Sequence, residues 1–314
     1  MEKLGLVGAA GAIGNSISAA LQEKGLPYRV IGRSRSKLEN SFGKDANAEL
    51  VTWDPDNPQS VEAAFKGLDT LIYLVGVALN QFQLHPILMQ KTIDGAIAAG
   101  VKRIVLIGTV WPYGIPKTVP ITEQHSREPV TFKGKMRKEQ EDVLMKAHQE
   151  GKIEAAILTL PDFYGPDVEA SLLHPLITAG AKGGVANMIG PIDNLHEFIY
   201  VPDVGPVVIE AAANPKIYGH TWNVGGDAPI TQRQIADIVF SFAGRKPQIM
   251  AINKFILSII GLFDPKLREW VEMNYLFTNP VILDDSALRD VLGNIKKTPL
   301  KDGLRASYEF YRSH

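Results

Sequence analysis

The sequence predicts an α/β fold, a doubly wound parallel sheet followed by a smaller C-terminal α/β domain. Short β-branched runs alternate with helix-like patterns through the first half, a glycine-rich turn joins the first run to the first helix, and prolines and glycines thicken after residue 160. Strands that read as continuous apolar runs are buried on both faces, as in a parallel sheet covered by helices. Strand–helix–strand units of this kind close right-handed, and ligands sit at the carboxyl ends of the strands.

In chain order the expected strands are "LGLV" (4–7), "YRVIG" (28–32), "ELVTW" (49–53), "TLIYLV" (70–75), "RIVLIG" (103–108) and "AAILTL" (155–160). Between the first two, Ile13, Ile17, Ala20 and Leu21 share one helical face, with Gly25 at the C-terminal cap position. Asn57 and Pro58 supply a cap and a first-turn proline for a helix over 58–66, and further helices are expected over 86–99 and 135–149. "EFIYV" (197–201) and "TWNVGG" (221–226) read as later strands. Asp264 and Pro265 should open a helix on which Leu267, Trp270, Val271 and Tyr275 recur at helical spacing. With "FILSIIGLF" (255–263) that stripe would wall an apolar pocket suited to a small hydrophobic carbonyl compound, although core packing explains the same pattern.

Composition narrows the function. The 314 residues are 45% hydrophobic and 21% charged, enough for one large domain or two modest ones with a sizeable core. A formal net charge of −1 gives no bulk attraction to nucleic acid or an anionic membrane. With no cysteine there is no disulfide, zinc-thiolate site or thiol nucleophile, which fits a cytoplasmic protein. The start of the chain has no signal-peptide pattern, and residues 255–263 are about half the roughly 20 needed for a membrane span, so a buried helix or pocket wall is expected there. The seven histidines form no metal-ligand pair on a helix, and no Gly-x-Ser-x-Gly elbow occurs. The expected partners are a small-molecule substrate and, at most, a second copy of the chain.

Gly8-x-x-Gly11-x-x-Gly14 lies between an expected strand and an amphipathic helix, the context in which such a turn cradles a dinucleotide pyrophosphate on backbone N–H groups. Gly8, Ala10, Gly11, Ala12, Ile13 and Gly14 are therefore cofactor-binding candidates, against the plainer reading of a tight structural turn. An acid about 20 residues on would accept the ribose hydroxyls of NAD. Here the second strand ends in Gly32-Arg33-Ser34-Arg35-Ser36-Lys37. Arg33 can meet a 2′-phosphate with a charge-assisted fork, and Ser34 or Arg35 can add a donor, so NADP(H) is favoured over NAD(H). A solvated basic turn is the alternative. Asp54 could accept from the adenine amino group or simply close the turn in "DPDNP".

With that Rossmann-type loop in place, the chain resembles an extended short-chain dehydrogenase/reductase of the NAD-dependent epimerase/dehydratase type, with NmrA-like proteins more distant. The resemblance rests on "GAAGAIG", "LVGVA" (74–78), "GTVWPYG" (108–114), "DFYGP" (162–166), "EFIYVPDVG" (197–205) and "WNVGG" (222–226), in order. It implies a dinucleotide-binding domain over 1–163, to which 197–224 return, and a substrate domain from 164–196 and 225–314. It also implies cofactor contacts at Val75, Gly76, Val77, Pro161 and Phe163. Such enzymes carry Tyr-x-x-x-Lys. Aligning on Glu139 in "TFKGKMRKEQE" puts Lys135 at the lysine and Thr131, a substrate contact, where the tyrosine should stand. A threonine hydroxyl is too weak an acid to replace it. Thr109 matches the family's Ser/Thr and would steady a substrate carbonyl, or else satisfy a strand end. Lys135 would bind the nicotinamide ribose and relay a proton, or lie on an exposed basic face with Arg137 as another polar contact. Tyr113 and Tyr164 are substitute phenols, and His196 stands where relatives place a substrate-contacting arginine. The implied function is an NADP(H)-dependent oxidoreductase moving hydride to or from a small carbonyl or alcohol. A non-catalytic NADP(H) redox sensor and an NAD-dependent nucleotide-sugar epimerase or dehydratase follow.

Overall fold

The computed structural model describes residues 3–252, 254–260 and 270–314. Its first half alternates β1 (Leu4–Val7), α1 (Ala12–Glu23), β2 (Tyr28–Gly32), α2 (Arg35–Phe42), β3 (Ala48–Thr52), α3 (Pro58–Phe65), β4 (Thr70–Tyr73), α4 (Leu84–Ala98), β5 (Arg103–Thr109), α5 (Phe132–Gln149) and β6 (Glu154–Leu160). Then come β7 (Asp162–Tyr164), α6 (His174–Lys182), β8 (Ala186–Ile189), β9 (Leu195–His196), β10 (Phe198–Tyr200), α7 (Val201–Ala213) and β11 (Thr221–Asn223). The chain closes with β12 (Ile230–Thr231), α8 (Gln232–Ser241), β13 (Ile249–Ile252), α9 (Lys254–Ile260), α10 (Tyr275–Thr278), α11 (Ser286–Leu292) and α12 (Leu300–Ser313).

Seven strands form one sheet in the order β11-β6-β5-β4-β1-β2-β3, every pair parallel. The strand order reverses between β1 and β4, the crevice where doubly wound sheets bind ligands. Alternate residues feed opposite layers. Leu6, Val30, Ile72 and Val105 pack toward α1 and α7, whereas Val7, Ile31, Leu71 and Ile104 pack toward α3, α4 and α5. A third core joins α6, α8 and α12 around Leu176, Phe198, Val239 and Leu304. Helix starts follow local chemistry: Ser34, Asn57 and Thr131 cap α2, α3 and α5, and Thr231 with Gln234 makes a capping box on α8.

The differences from the sequence pattern have local causes. The basic stretch after β2 is not a free turn, because Ser34 accepts from Lys37 N and starts a helix. β4 stops at Tyr73, and residues 74–78 swing over the glycine turn after Leu74 N bonds Val7 O at 2.8 Å. In "TWNVGG" only 221–223 pair as strand; the N–H groups of Gly225 and Gly226 go to the carboxylates of Asp285 and Glu197. "FILSIIGLF" was expected to be buried, but α9 buries Leu257 while Phe255 is 73% exposed. Residues 261–263, Asp264, Pro265 and Leu267 lie outside the described residues. Trp270 and Tyr275 pack beside Val110, Tyr113, Met273 and Leu276, and Val271 is half-buried. No described helix is long and apolar enough to cross a membrane.

Helix α7 crosses α1 at backbone contact. Ser16 Oγ donates to Val201 O (2.6 Å) and accepts from Gly205 N (2.9 Å), and a Cβ on Gly205 would stand 2.2 Å from Ser16 O. Gly205→Ala is therefore expected to lower stability by about 1–3 kcal/mol, read as a lower urea midpoint with unchanged slope.

Candidate functional site

β1 is followed by Gly8, whose φ of +82° belongs to the left-handed region and whose Cβ would lie 2.7 Å from Val75 Cα. Gly14, in the first turn of α1, has no room either: its Cβ would meet Ala9 O at 2.0 Å. Gly11 differs, because a Cβ there meets nothing within 4 Å and its backbone is extended (φ −145°). Two of the three glycines are thus required by packing, and the third leaves open space at the N-terminus of α1. That helix has no side-chain cap and no acid in its first turn. Its first N–H groups face the cleft, a geometry that suits an anion.

Two compartments meet at this turn, sharing Gly8, Val75 and Gly76. The smaller, about 190 Å³, is bounded by Ala9, Ala10, Gly32, Arg33, Ser34, Lys37, Leu38, Trp53 and Pro55. Neither Arg33 nor Lys37 has an ion-pair partner among the described residues, and both are exposed. The larger, about 350 Å³, takes Gly11, Ala12, Ile13 and Gly14 from the turn and Val77, Phe82 and His85 from the α4 side. Ile107, Thr109, Trp111, Arg137, Phe163 and Ala170 complete it. Phe82 stacks on Trp111 with ring centroids 5.3 Å apart. Thr109 Oγ1 and Arg137 Nε are buried here without a hydrogen-bond partner.

Thr131 fixes the phase of α5 by accepting from Gly134 N at 3.0 Å. Lys133, Arg137, Gln140, Glu141 and Leu144 then face inward. Lys133 Nζ pairs with Glu272 at 2.6 Å, 6.0 Å from the centre of Phe82. The Arg137 guanidinium donates to Ile107 O (3.1 Å) and to His85 Nδ1 (3.3 Å). Arginine only donates, so His85 accepts at Nδ1 and carries its proton on Nε2. Burial, helped by the neighbouring Arg137 charge, pulls the His85 pKa down to about 3, so the ring is neutral. Burial also lowers Arg137 to about 10, with the Tyr73 hydroxyl opposing, and it remains a cation at neutral pH.

Several expectations need correction on this geometry. Lys135 is exposed, and Arg137, two residues on, lines the cleft. Aligning on Glu141 rather than Glu139 would have found this register, which puts Arg137 at the lysine and Lys133 at the tyrosine of Tyr-x-x-x-Lys. Thr131 is spent on capping α5. Tyr113 is buried, donates to Asn223 Oδ1 at 2.8 Å and has its pKa pushed up to about 12 by burial, which unfits it as an acid at neutral pH. Tyr164 is packed in the C-terminal core, tilted against Tyr200, its pKa raised by burial. His196, expected as a substrate contact, is buried outside both linings and pairs with Asp162 at 2.6 Å. Arg35 turns away to Glu39 and Leu50 O. Asp54 Oδ1 accepts from Asp56 N, closing a turn between Trp53 and Pro55. Pro161 is buried outside both linings, whereas the other cofactor candidates after it and before it, Phe163, Val75, Gly76 and Val77, line the cleft. His85 and Phe82 lie in no motif, and Trp111 and Lys37 lie inside "GTVWPYG" and the basic stretch after β2 without being singled out by either pattern. Among the described residues no group of three His, Asp or Glu could hold a metal.

The family model for the NAD dependent epimerase/dehydratase family matches residues 5–225. Two curated relatives are the uncharacterised protein y4nG of Sinorhizobium fredii, 23% identical over 79% of this chain and 62% of its own, and a probable UDP-arabinose 4-epimerase of rice, 24% identical over 53% and 44%. The chain thus spans 62% and 44% of the length of these two relatives. Among solved structures, a UDP-glucuronic acid 4-epimerase of Bacillus cereus with NAD superposes with TM-score 0.79 at 19% identity, covering 99% of both chains. DesIV, a dTDP-glucose 4,6-dehydratase of Streptomyces venezuelae with NAD, gives 0.82 at 19% over 99% and 97%. MoeE5 with UDP-glucuronic acid and NAD gives 0.82 at 18% over 100% and 99%.

The buried, neutral His85 links stability to pH. Between about pH 6.5 and about 3 the unfolded chain binds a proton there that the folded chain refuses, so stability falls as pH falls through that window. Relative to His85→Asn, which keeps an acceptor for Arg137, the natural protein should lose about 2 kcal/mol more between pH 7 and pH 5. Urea melts of both proteins at the two pH values measure it; parallel losses would refute it.

Proposed function

The chain belongs to the NAD dependent epimerase/dehydratase family, and on that premise we propose that it binds a nicotinamide dinucleotide across the glycine turn for hydride transfer at a hydroxyl- or carbonyl-bearing carbon. The observation that carries this reading is the open space at Gly11, at the uncapped start of α1, in a large apolar compartment that adjoins a smaller one across Gly8, Val75 and Gly76. When bound, the nicotinamide supplies or accepts a hydride. Main-chain N–H groups at Gly11 to Ile13 would hold the pyrophosphate, residues 75–77 and Phe163 would flank the nicotinamide end, and Thr109 would donate to the reacting oxygen.

The α5 register supports an atypical proton route. At the spacing where the family has a phenol and an ammonium, this chain has Lys133 and Arg137, both buried cations. Cations steady an oxyanion well but are poor bases toward a substrate hydroxyl. That charge set favours the carbonyl-reducing direction and makes a small carbonyl compound the preferred substrate. A nucleotide-sugar epimerase or dehydratase is the second reading, favoured by the nucleotide sugars in the names and complexes of the relatives and structural neighbours. The two differ in stoichiometry. A reductase consumes NADPH with a member of an aldehyde, ketone or enone panel, whereas an epimerase converts UDP-glucose or UDP-glucuronic acid with no net change in cofactor. Silence in both assays, with NADPH still bound, would leave a binding protein.

The cofactor preference follows from the smaller compartment, where Arg33, Lys37 and Ser34 meet no acid. We assign this end to a 2′-phosphate, hence NADP(H) over the NAD of the neighbours. Each charge-assisted contact is worth about 1.5–3 kcal/mol. Arg33→Ala should therefore weaken NADPH at least about tenfold and NADH much less, by calorimetry. Equal losses would show that Arg33 does not read the phosphate. Gly11→Val should cut affinity for both cofactors while leaving the melting temperature close to that of the natural protein, because the added side chain enters the cleft and not the core.

A further inference from the structure

Arg137 is an unusual resident of an apolar cleft. It is 7% exposed, and its guanidinium touches only neutral acceptors, Ile107 O and the imidazole of His85. Among the described residues no carboxylate pairs with it. The acids nearby are engaged with other cations: Glu272 holds Lys133 at 2.6 Å, Asp142 holds Lys138 at 2.5 Å, and Glu141 pairs with Arg127. One donor, Nε, has no partner at all, and neither does the buried hydroxyl Thr109 Oγ1 that lines the same compartment. The remaining walls include Phe82, Ile107, Trp111 and Phe163, so the local dielectric is low. A desolvated cation in such walls is costly unless an anion arrives to pair with it.

At this end the dinucleotide offers Arg137 only the neutral hydroxyls of the nicotinamide ribose, which can accept from it but cannot balance its charge. The dinucleotide's negative charge sits on the phosphates, which the turn and the Arg33 side would hold, while the nicotinamide ring is neutral when reduced and cationic when oxidised. An oxidised ring beside Arg137 would add like charge and strengthen the demand for an anion. We propose that the larger compartment selects a carboxylate-bearing carbonyl or alcohol substrate, with Arg137 pairing to the carboxylate and Thr109 donating to an adjacent oxygen. The planar fork of arginine matches a carboxylate, and the aromatic walls suit an apolar remainder. This names the substrate class of the site proposed above and rests on that reading.

The test is calorimetry on the full chain, with and without NADPH, using phenylpyruvate against its neutral methyl ester as probes. The acid is expected to bind at least about tenfold more tightly than the ester. Arg137→Lys should keep NADPH binding and lose most of that preference, and Thr109→Val should weaken the acid with an intact fold. Quenching of tryptophan fluorescence by the acid, absent in Trp111→Phe, gives a second readout that needs no turnover. Equal affinities for acid and ester, or no binding of the acid, would overturn the assignment. Absence of NADPH binding would instead sink the dinucleotide reading, and the acid–ester comparison on the protein alone would still decide the role of Arg137.

Discussion

The contact between the β1–α1 turn and the chain leaving β4 is the constraint on which the site depends. Gly8, at a φ open to glycine, lets Val75 approach to a distance that no Cβ would permit, and Gly14 lets the first turn of α1 close on Ala9 O. Together they seat the start of α1 at the point where the strand order reverses. Gly205 clamps α1 from behind by the same device, backbone against backbone. A cleft bounded by main chain on both sides has little freedom to relax, because close-packed interiors transmit strain rather than absorb it. Its shape is therefore preorganised for whatever it binds.

The chemistry of the larger compartment is governed by the phase of α5. Successive helical residues are about 100° apart, so a single cap decides which cations are inside. Thr131 sets that phase, sending Lys133 and Arg137 inward and leaving Lys135 and Glu139 in water. The two inward charges are treated differently by the rest of the fold. Lys133 is answered by Glu272 from the C-terminal part, whereas Arg137 rests on a carbonyl and a neutral histidine. Buried charge of the first kind is structural. Charge of the second kind stores a binding free energy that a ligand can release.

The C-terminal elements contribute enclosure more than reacting groups. The 270–283 region packs on Trp111, Tyr113 and Ile121, and so fixes the aromatic wall formed by Phe82 and Trp111. The buried Glu197 accepts from Gly226 N and Leu283 N and ties β10 to that region. Burial raises its pKa to about 7 against those two hydrogen bonds. The packing behind the aromatic wall thus rests in part on hydrogen bonds well outside the cleft.

The order of strands and helices, the glycine turn and the basic end of β2 were legible in the chain itself, because hydrophobic period, chirality and caps act between residues a few positions apart. Which glycine of Gly8, Gly11 and Gly14 faces open space, and which inward cation of "KGKMRKE" finds a carboxylate and which is left with neutral acceptors, were not. Those answers come from Val75 meeting Gly8, from Glu272 meeting Lys133 across 139 positions and from His85 meeting Arg137 across 52. Pairing and desolvation of charge depend on neighbours that only folding brings together, and no local pattern of residues encodes them.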